Sequence, residues 1–304
     1  MQAPSMLGQG ENSQRSRGTR MLNRSTVALP SSYELNAVRE LADWKNPSVT
    51  TLKRITELTS KPNDIAGQLI ISSPAIGDAV RCIIDDVVLT CHEICVATGD
   101  DQAVYRKFQA AGHKNIRGAA DIFDLDLQRV ENVIDRLHVR YEAEAALGGL
   151  AGASEDAIES IADVPDLVAL SLSAISQYRA HYGFAPTQYE RMFAMHILGY
   201  SSGASVGAKN GALIERAKLT QAATQRPSSR ELDDNQFILV IRTLAAVTGE
   251  RLTKAKLAQI TPAFAGLAGS AFNTWYVSTV CEAARFLYRE RFLIEKYGTD
   301  IMKF

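Results

Sequence analysis

Apolar residues in this chain recur every three or four positions, and no stretch shows clean period-two alternation, so the pattern predicts helices throughout. Ser31 with Glu34 has the form of a capping box and opens a helix through about Trp44. A second helix is predicted after Pro47, from Val49 to Leu58, and a short third at Pro62 and Asp64. Ser73 as cap and Pro74 in the first turn open a long apolar helix through Ala97, ended by Gly99. Ala103 to Ala111 is a shorter one closed by Gly112. From Leu125 to about Ala153, the apolar positions Leu127, Val130, Ile134, Leu137 and Tyr141 mark one face of a single helix. Ser154 caps a brief helix to Ile161, and Asp163 followed by Pro165 starts one to Tyr182 that Gly183 ends. Thr187 with Glu190 opens a helix to Leu198, and Ser228 with Glu231 opens Leu232 to Val247, closed by Gly249. Thr253 caps a short helix, after which Pro262 restarts the chain into a long one reaching about Tyr297.

Two uncharged stretches repeat small residues at four-residue spacing. Ala145 precedes Gly149, Gly148 precedes Gly152, Ala265 precedes Gly269, and Gly266 precedes Ser270. Positions four apart share a helix face, so such a stretch offers a groove where another backbone can approach. Glycine inside a helix costs about 1 kcal/mol against alanine, which argues that the spacing is used. The expected fold is an all-α, multi-helix bundle with glycine-faced helix packing. Residues 1–30, rich in Ser, Arg, Gln and Gly, read as a disordered basic tail. Residues 31–304 read as one helical domain, with a polar stretch at 200–228 where two sub-bundles could divide.

Composition narrows the function classes. At 304 residues, 46% hydrophobic and 22% charged, the chain can bury a large core. Its net charge of −1 gives no general field for nucleic acid, and no basic patch with stacking aromatics is found after residue 30. The tail is the exception, with Arg15, Arg17, Arg20 and Arg24 against Glu11. Four cysteines make no disulfide framework, and with no signal-peptide core at the N-terminus a cytoplasmic setting is expected. The run from Leu257 to Cys281 has no charge and is long enough to cross a bilayer, yet it holds Gln259, Pro262 and Asn273.

Chemistry is sparse. Cys91, His92 and Cys95 lack a fourth convergent ligand, because Cys82 falls on the far side of the helix, so no metal site is assigned. Gly203-Ala204-Ser205-Val206-Gly207 has the form of a nucleophile elbow but lacks a preceding strand and a later histidine. Phosphate-loop, dinucleotide and zinc-protease motifs are missing, so no cofactor and no catalytic residue is named. Asp121, Asp124 and Asp126 suit a solvated helix start better than a calcium loop. His181 and His196, with Asp163, are the candidates for a polar pocket between helices, the basis of an enzyme reading. The last helix offers Arg285, Arg289 and Arg291 among Phe286, Tyr288, Phe292 and Tyr297. That is either an interfacial anchor or a terminal helix whose arginines pair with Glu282, Glu290 and Glu295.

The order of these features resembles the EcsC family of bacterial proteins. The likeness is carried by the glycine-rich Ala145 to Ala153, by Asp163-Val164-Pro165, by Tyr182-Gly183-Phe184 and by the helix from Tyr189 to Leu198. It continues in Pro262, Gly266, Gly269 and Asn273, in Arg291-Phe292-Leu293 and in Tyr297-Gly298. It covers roughly residues 74–298, and the chain departs from the pattern at 201–228 and at Thr261. The resemblance implies a membrane-associated helical protein, and it marks Asp163, Pro165, Gly266, Gly269, Asn273 and Arg291 as structural positions. The expected role is a cytoplasmic accessory protein docked on the inner membrane, or on a membrane-protein partner. Docking would use the glycine faces of Gly148, Gly149, Gly152, Gly266 and Gly269 and the terminal Arg285, Arg289 and Arg291. An enzyme with a polar inter-helix pocket and a soluble partner-binding module are the alternatives.

Overall fold

Ser31 and Thr187, read as caps from the sequence, sit where helices begin in the computed structural model, which describes residues 29–46, 73–96, 101–151, 157–202, 234–257 and 270–304; the cap at Ser154 lies outside them. Every regular element among them is helical. Helix α1, Ser32–Lys45, opens on a full capping box: Ser31 Oγ accepts from Glu34 N–H, and the Glu34 carboxylate accepts from Ser31 N–H at 2.9 Å. Helix α2 is Pro74–Val96, and α3, Asp101–Ala110, ends at Gly112 with φ 97°. A 3-10 turn, Ala119–Asp124, follows, its start tied down by the Asp121 carboxylate accepting from Arg117 and Gly118 N–H. Asp126 caps α4, Leu127–Ile134, and α5 is Leu137–Ala151. Helix α6, Ala157–Ile161, leads to α7, Val164–His181, with Pro165 in its first turn. Thr187 caps α8, Gln188–Ser201; α9 is Asp234–Leu257 and α10 is Ser270–Tyr297. A closing 3-10 turn, Thr299–Lys303, ends the chain.

Two expectations change. The helix predicted from Leu125 to Ala153 is two helices, α4 and α5, separated at Asp135 and Arg136. The apolar stripe runs straight across that turn, with Ile134 and Leu137 both buried, so periodicity alone gives no sign of it. Gly249 does not end a helix but lies inside α9, and Thr253 starts no helix of its own. Gly249 is buried against α2, where an added Cβ would lie 3.2 Å from Val87. Its missing side chain serves a close helix contact, and no turn is required there. The helices predicted at 49–58 and at Pro62, the start at Ser228, the restart at Pro262, the 1–28 part of the tail and the 203–228 part of the polar stretch lie outside the described residues.

The long α10 is the axis of the fold. It packs on α5, α7, α8 and α1, while α9 packs on α2 and α8, and α2 also packs on α7. Fourteen of its residues are buried, among them Tyr276, Val280, Leu287, Tyr288 and Phe292. Side-chain pairs fix the directions. Arg289 meets Glu131 on α4, His138 Nε2 meets Ser278 Oγ at 2.9 Å, and Asn273 meets Asp163 at the start of α7. Helix α5 therefore runs antiparallel to α10, and α7 runs parallel to it. The end of α5, the starts of α7 and α10 and the end of α9 consequently share one end of the bundle. At the other, Gly183 (φ 84°) closes α7 where an added Cβ would come within 2.8 Å of Ala119 O, a position only glycine can take.

Candidate functional site

The predicted site residues divide between the two ends of this bundle. At the α1–α4 end, Arg289 and Arg291 turn into the bundle, and the half-exposed Arg285 reaches the same carboxylate as Arg289. Glu131 on α4 accepts from Arg289 Nε at 2.7 Å, Arg289 Nη2 at 2.8 Å and Arg285 Nη2 at 3.2 Å. It accepts also from the hydroxyls of Tyr33 at 2.6 Å and Tyr182 at 2.8 Å. Arg289, 1% exposed, additionally donates to Glu40 from α1. Burial alone would raise the Glu131 pKa, but Arg289, then Tyr33 and Arg285, outweigh it and hold the carboxyl below its usual value. Next along α10, Arg291 grips Glu190 of α8 in a two-pronged pair. Its guanidinium lies over the rings of Phe184 at 4.1 Å and Phe193 at 4.5 Å. Glu34, fully buried, accepts from Lys296 Nζ at 2.9 Å and Tyr297 Oη at 2.6 Å.

Of the two arrangements weighed for the last helix, the structure has the internally paired one, with partners different from those expected. Arg285 and Arg289 meet Glu131, and Arg291 meets Glu190, where Glu282, Glu290 and Glu295 had been the expectation. The i,i+4 rule looks only along one helix, and these carboxylates come from α4 and α8. A signal was present, however: Glu131 adjoins Val130 and Leu127 on the core face of α4, and a carboxylate there requires a buried cation.

The opposite end holds the second cluster. Asp163, the residue before α7, makes no side-chain capping bond. Its carboxylate instead accepts from Lys256 Nζ and from Asn273 Nδ2, the latter at 2.8 Å, joining the start of α7, the end of α9 and the start of α10. Lys256 is 2% exposed, and burial lowers its pKa while Asp163 partly restores it. Asn273 Oδ1 and Thr253 Oγ1 are buried at this end without hydrogen-bond partners among the described residues. Lys256 escaped the sequence reading, although Phe237, Ile241, Ala245, Thr248 and Leu252 form a core stripe that points to it at the next step of four. Pro165 lies in the first turn of α7 above this cluster, half-buried.

Around the same end, large apolar side chains face solvent: Leu147 on α5 is 70% exposed, Trp275 on α10 is 51% and Ile158 on α6 is 45%. Gly148 sits beside Leu147, and a Cβ added to it would meet nothing within 4 Å, so no helix among the described residues packs on it. Gly149 lies within α5; Gly152, Gly266 and Gly269 lie outside the described residues. The described parts of the two uncharged stretches, 145–151 at the end of α5 and Leu257 with 270–281 at the end of α9 and the start of α10, lie at this end of the bundle.

The pocket candidates do not converge. Asp163 and His181 flank the 18-residue α7, which separates them by roughly 27 Å at 1.5 Å per residue. His181 is 1% exposed, its Nδ1 is 2.7 Å from Gln177 O, and it packs on the Phe108 ring. Burial lowers its pKa to about 4. His196 is half-buried in α8. Among the described residues no three metal-binding side chains converge, and no helix is long and apolar enough to cross a membrane.

The family model described as the EcsC protein family matches residues 35–293. No curated protein and no solved structure matches the chain.

Proposed function

The chain belongs to the EcsC protein family, and from that premise we propose that it is a helical docking protein that attaches to a membrane surface by the end of the bundle where α5 stops and α7 and α10 begin. One observation carries this reading. Leu147, Ile158 and Trp275 stand exposed at the end where the described parts of both uncharged stretches lie, while the buried ion pairs of Glu131, Glu34 and Glu190 gather toward the opposite end, where Leu29 and Phe304 are also exposed. Soluble surfaces scatter single apolar residues, whereas three large ones at one end supply apolar area for interfacial attachment. In this reading the terminal arginines hold α10 in place and take no part in lipid contact. The surface is the inner face of the bacterial inner membrane, and the attachment is peripheral.

Flotation of the whole chain with vesicles of mixed phosphatidylcholine, phosphatidylethanolamine and phosphatidylglycerol tests this. The protein is expected to rise with the vesicles, and Leu147→Ser with Trp275→Ala to leave it below while circular dichroism stays unchanged. A wild-type chain that remains at the bottom with every vesicle, yet captures one membrane protein in detergent, would replace lipid by a protein partner at this end.

A further inference from the structure

Helix α1 is fastened to the far end of the chain largely by charge. It packs on α10 and α4, and its partners on α10 fall in reverse order. Glu34 accepts from Lys296 at 2.9 Å, Glu40 accepts from Arg289 at 2.6 Å, and Lys45 donates to Glu290 at 2.5 Å. Trp44 stacks on Phe286 with ring centres 5.0 Å apart. The two helices therefore run antiparallel in matched register: Glu34 to Trp44 on one and Lys296 to Phe286 on the other each cover roughly 15 Å of helix.

Little apolar surface backs these pairs. Of the side chains that α1 buries, Glu34 is charged and only Ala37, Val38 and Leu41 are apolar, with Tyr33, Leu35 and Trp44 partly covered. Ion pairs stripped of water on docking return about what their desolvation costs. Lifting α1 away would rehydrate Glu34, Glu131 and Arg289, none of them more than 8% exposed. An isolated helix of 14 residues is marginal in water, so α1 detached is α1 unfolded.

We infer that α1 is a releasable strap, which opens as a unit while α5, α7 and α10 stay folded and so uncovers the row of Arg285, Arg289 and Lys296 along one face of α10. Positions four and seven apart share a helix face, and in the closed state the Glu40 and Glu34 carboxylates sit on the last two of these cations. Ionic strength sets how often the strap opens. Each pair has one partner that water reaches, Glu40, Lys45 or Lys296, and salt screens such contacts.

Hydrogen exchange of the full chain, read by mass spectrometry at 50 and 500 mM salt, tests this. Amides of residues 35–45 are expected to exchange at least about tenfold faster than those of residues 167–181 and 276–293, because they open locally. At 500 mM salt α1 should gain at least about threefold more, with α7 and the middle of α10 changing less than twofold. Leu41→Ala, which removes an apolar anchor of α1, and Glu40→Gln, at a half-exposed position, should each speed α1 exchange at least about fivefold and leave α7 unchanged. Exchange of α1 and α7 at one rate, moved together by Leu41→Ala, overturns the inference, since α1 would then open only when the whole bundle unfolds. Local opening of α1 that is indifferent to salt and to Glu40→Gln overturns it also, because charge would not be what holds the strap.

Discussion

Replacing Arg289 by Met removes the guanidinium that three bonds tie to Glu131 and Glu40, while keeping a side chain of similar length. Glu131 is 8% exposed and would retain Tyr33, Tyr182 and the longer contact to Arg285. Breaking one partner of a buried pair costs on the order of 3–5 kcal/mol, because the remaining charge stays desolvated. For a chain of this size each kcal/mol moves the Tm by about 2–3 °C, so a fall of roughly 6–15 °C is expected. The pH dependence has a defined sign. Glu131 has a folded-state pKa below its unfolded value, so its stabilisation is complete above about pH 4.3 and disappears as pH falls through the lower folded value. In Arg289→Met that acid loss moves to higher pH. The assay is thermal unfolding by circular dichroism from pH 3 to 8, with Glu131→Gln and the Glu131→Gln, Arg289→Met double variant completing a cycle. The double variant should be more stable than the sum of the singles by about 2 kcal/mol or more. A Tm fall under 2 °C, or simple additivity, would refute the claim that this pair holds α10 to α4.

Three further outcomes follow from the packing. The His181 ring should titrate near pH 4 by NMR, and since its folded pKa lies below the unfolded value, stability should rise with pH between about 4 and 6.5, by up to about 3 kcal/mol; His181→Gln should flatten that slope. Asp163→Ala, which strands Lys256 in the core, should destabilise by about 3–5 kcal/mol in chemical denaturation, more than Lys256→Met does, and combining them should recover part of the loss. Gly148→Ala should stabilise α5 by about 0.5–1 kcal/mol because nothing opposes the methyl, whereas Gly249→Leu should cost about 1–3 kcal/mol against Val87, with partial rescue by Val87→Ala in the same melts.

Local signals were legible wherever the cause is local. The Ser31–Glu34 capping box, the Thr187 cap, the glycine stops at Gly112 and Gly183 and the apolar stripe of α4 and α5 each act within about one or two turns, and all are present. The Asp135–Arg136 turn was hidden because it preserves the stripe, and Gly249 misled because a glycine that closes a helix and one that admits a neighbour look alike in sequence. Asp163 was singled out for the right position and the wrong reason: its capping geometry is empty, and Lys256, 93 residues away, takes its carboxylate. Glu131 on the core face of α4 signals a buried cation, but which arginine supplies it, and that Glu190 takes Arg291, depends on topology. The uncharged stretches foreshadow apolar exposure at this end, but only the directions of α5, α7 and α10 put Leu147, Ile158 and Trp275 at the same end of the bundle.

Trp275 gives the most direct measurement. The second tryptophan, Trp44, is packed on Phe286 and Tyr200, and Trp44→Phe leaves Trp275 as the single tryptophan, excited selectively beyond the tyrosine absorption. In that variant, vesicles carrying brominated acyl chains should quench the emission and shift it to the blue. The half of the ring that faces water, worth up to about 3 kcal/mol on burial at roughly 25 cal/mol per Å2, should make Trp275→Ala bind about 10- to 100-fold more weakly. Emission that neither shifts nor is quenched while the protein co-floats with vesicles would place the lipid contact elsewhere and contradict the docking end.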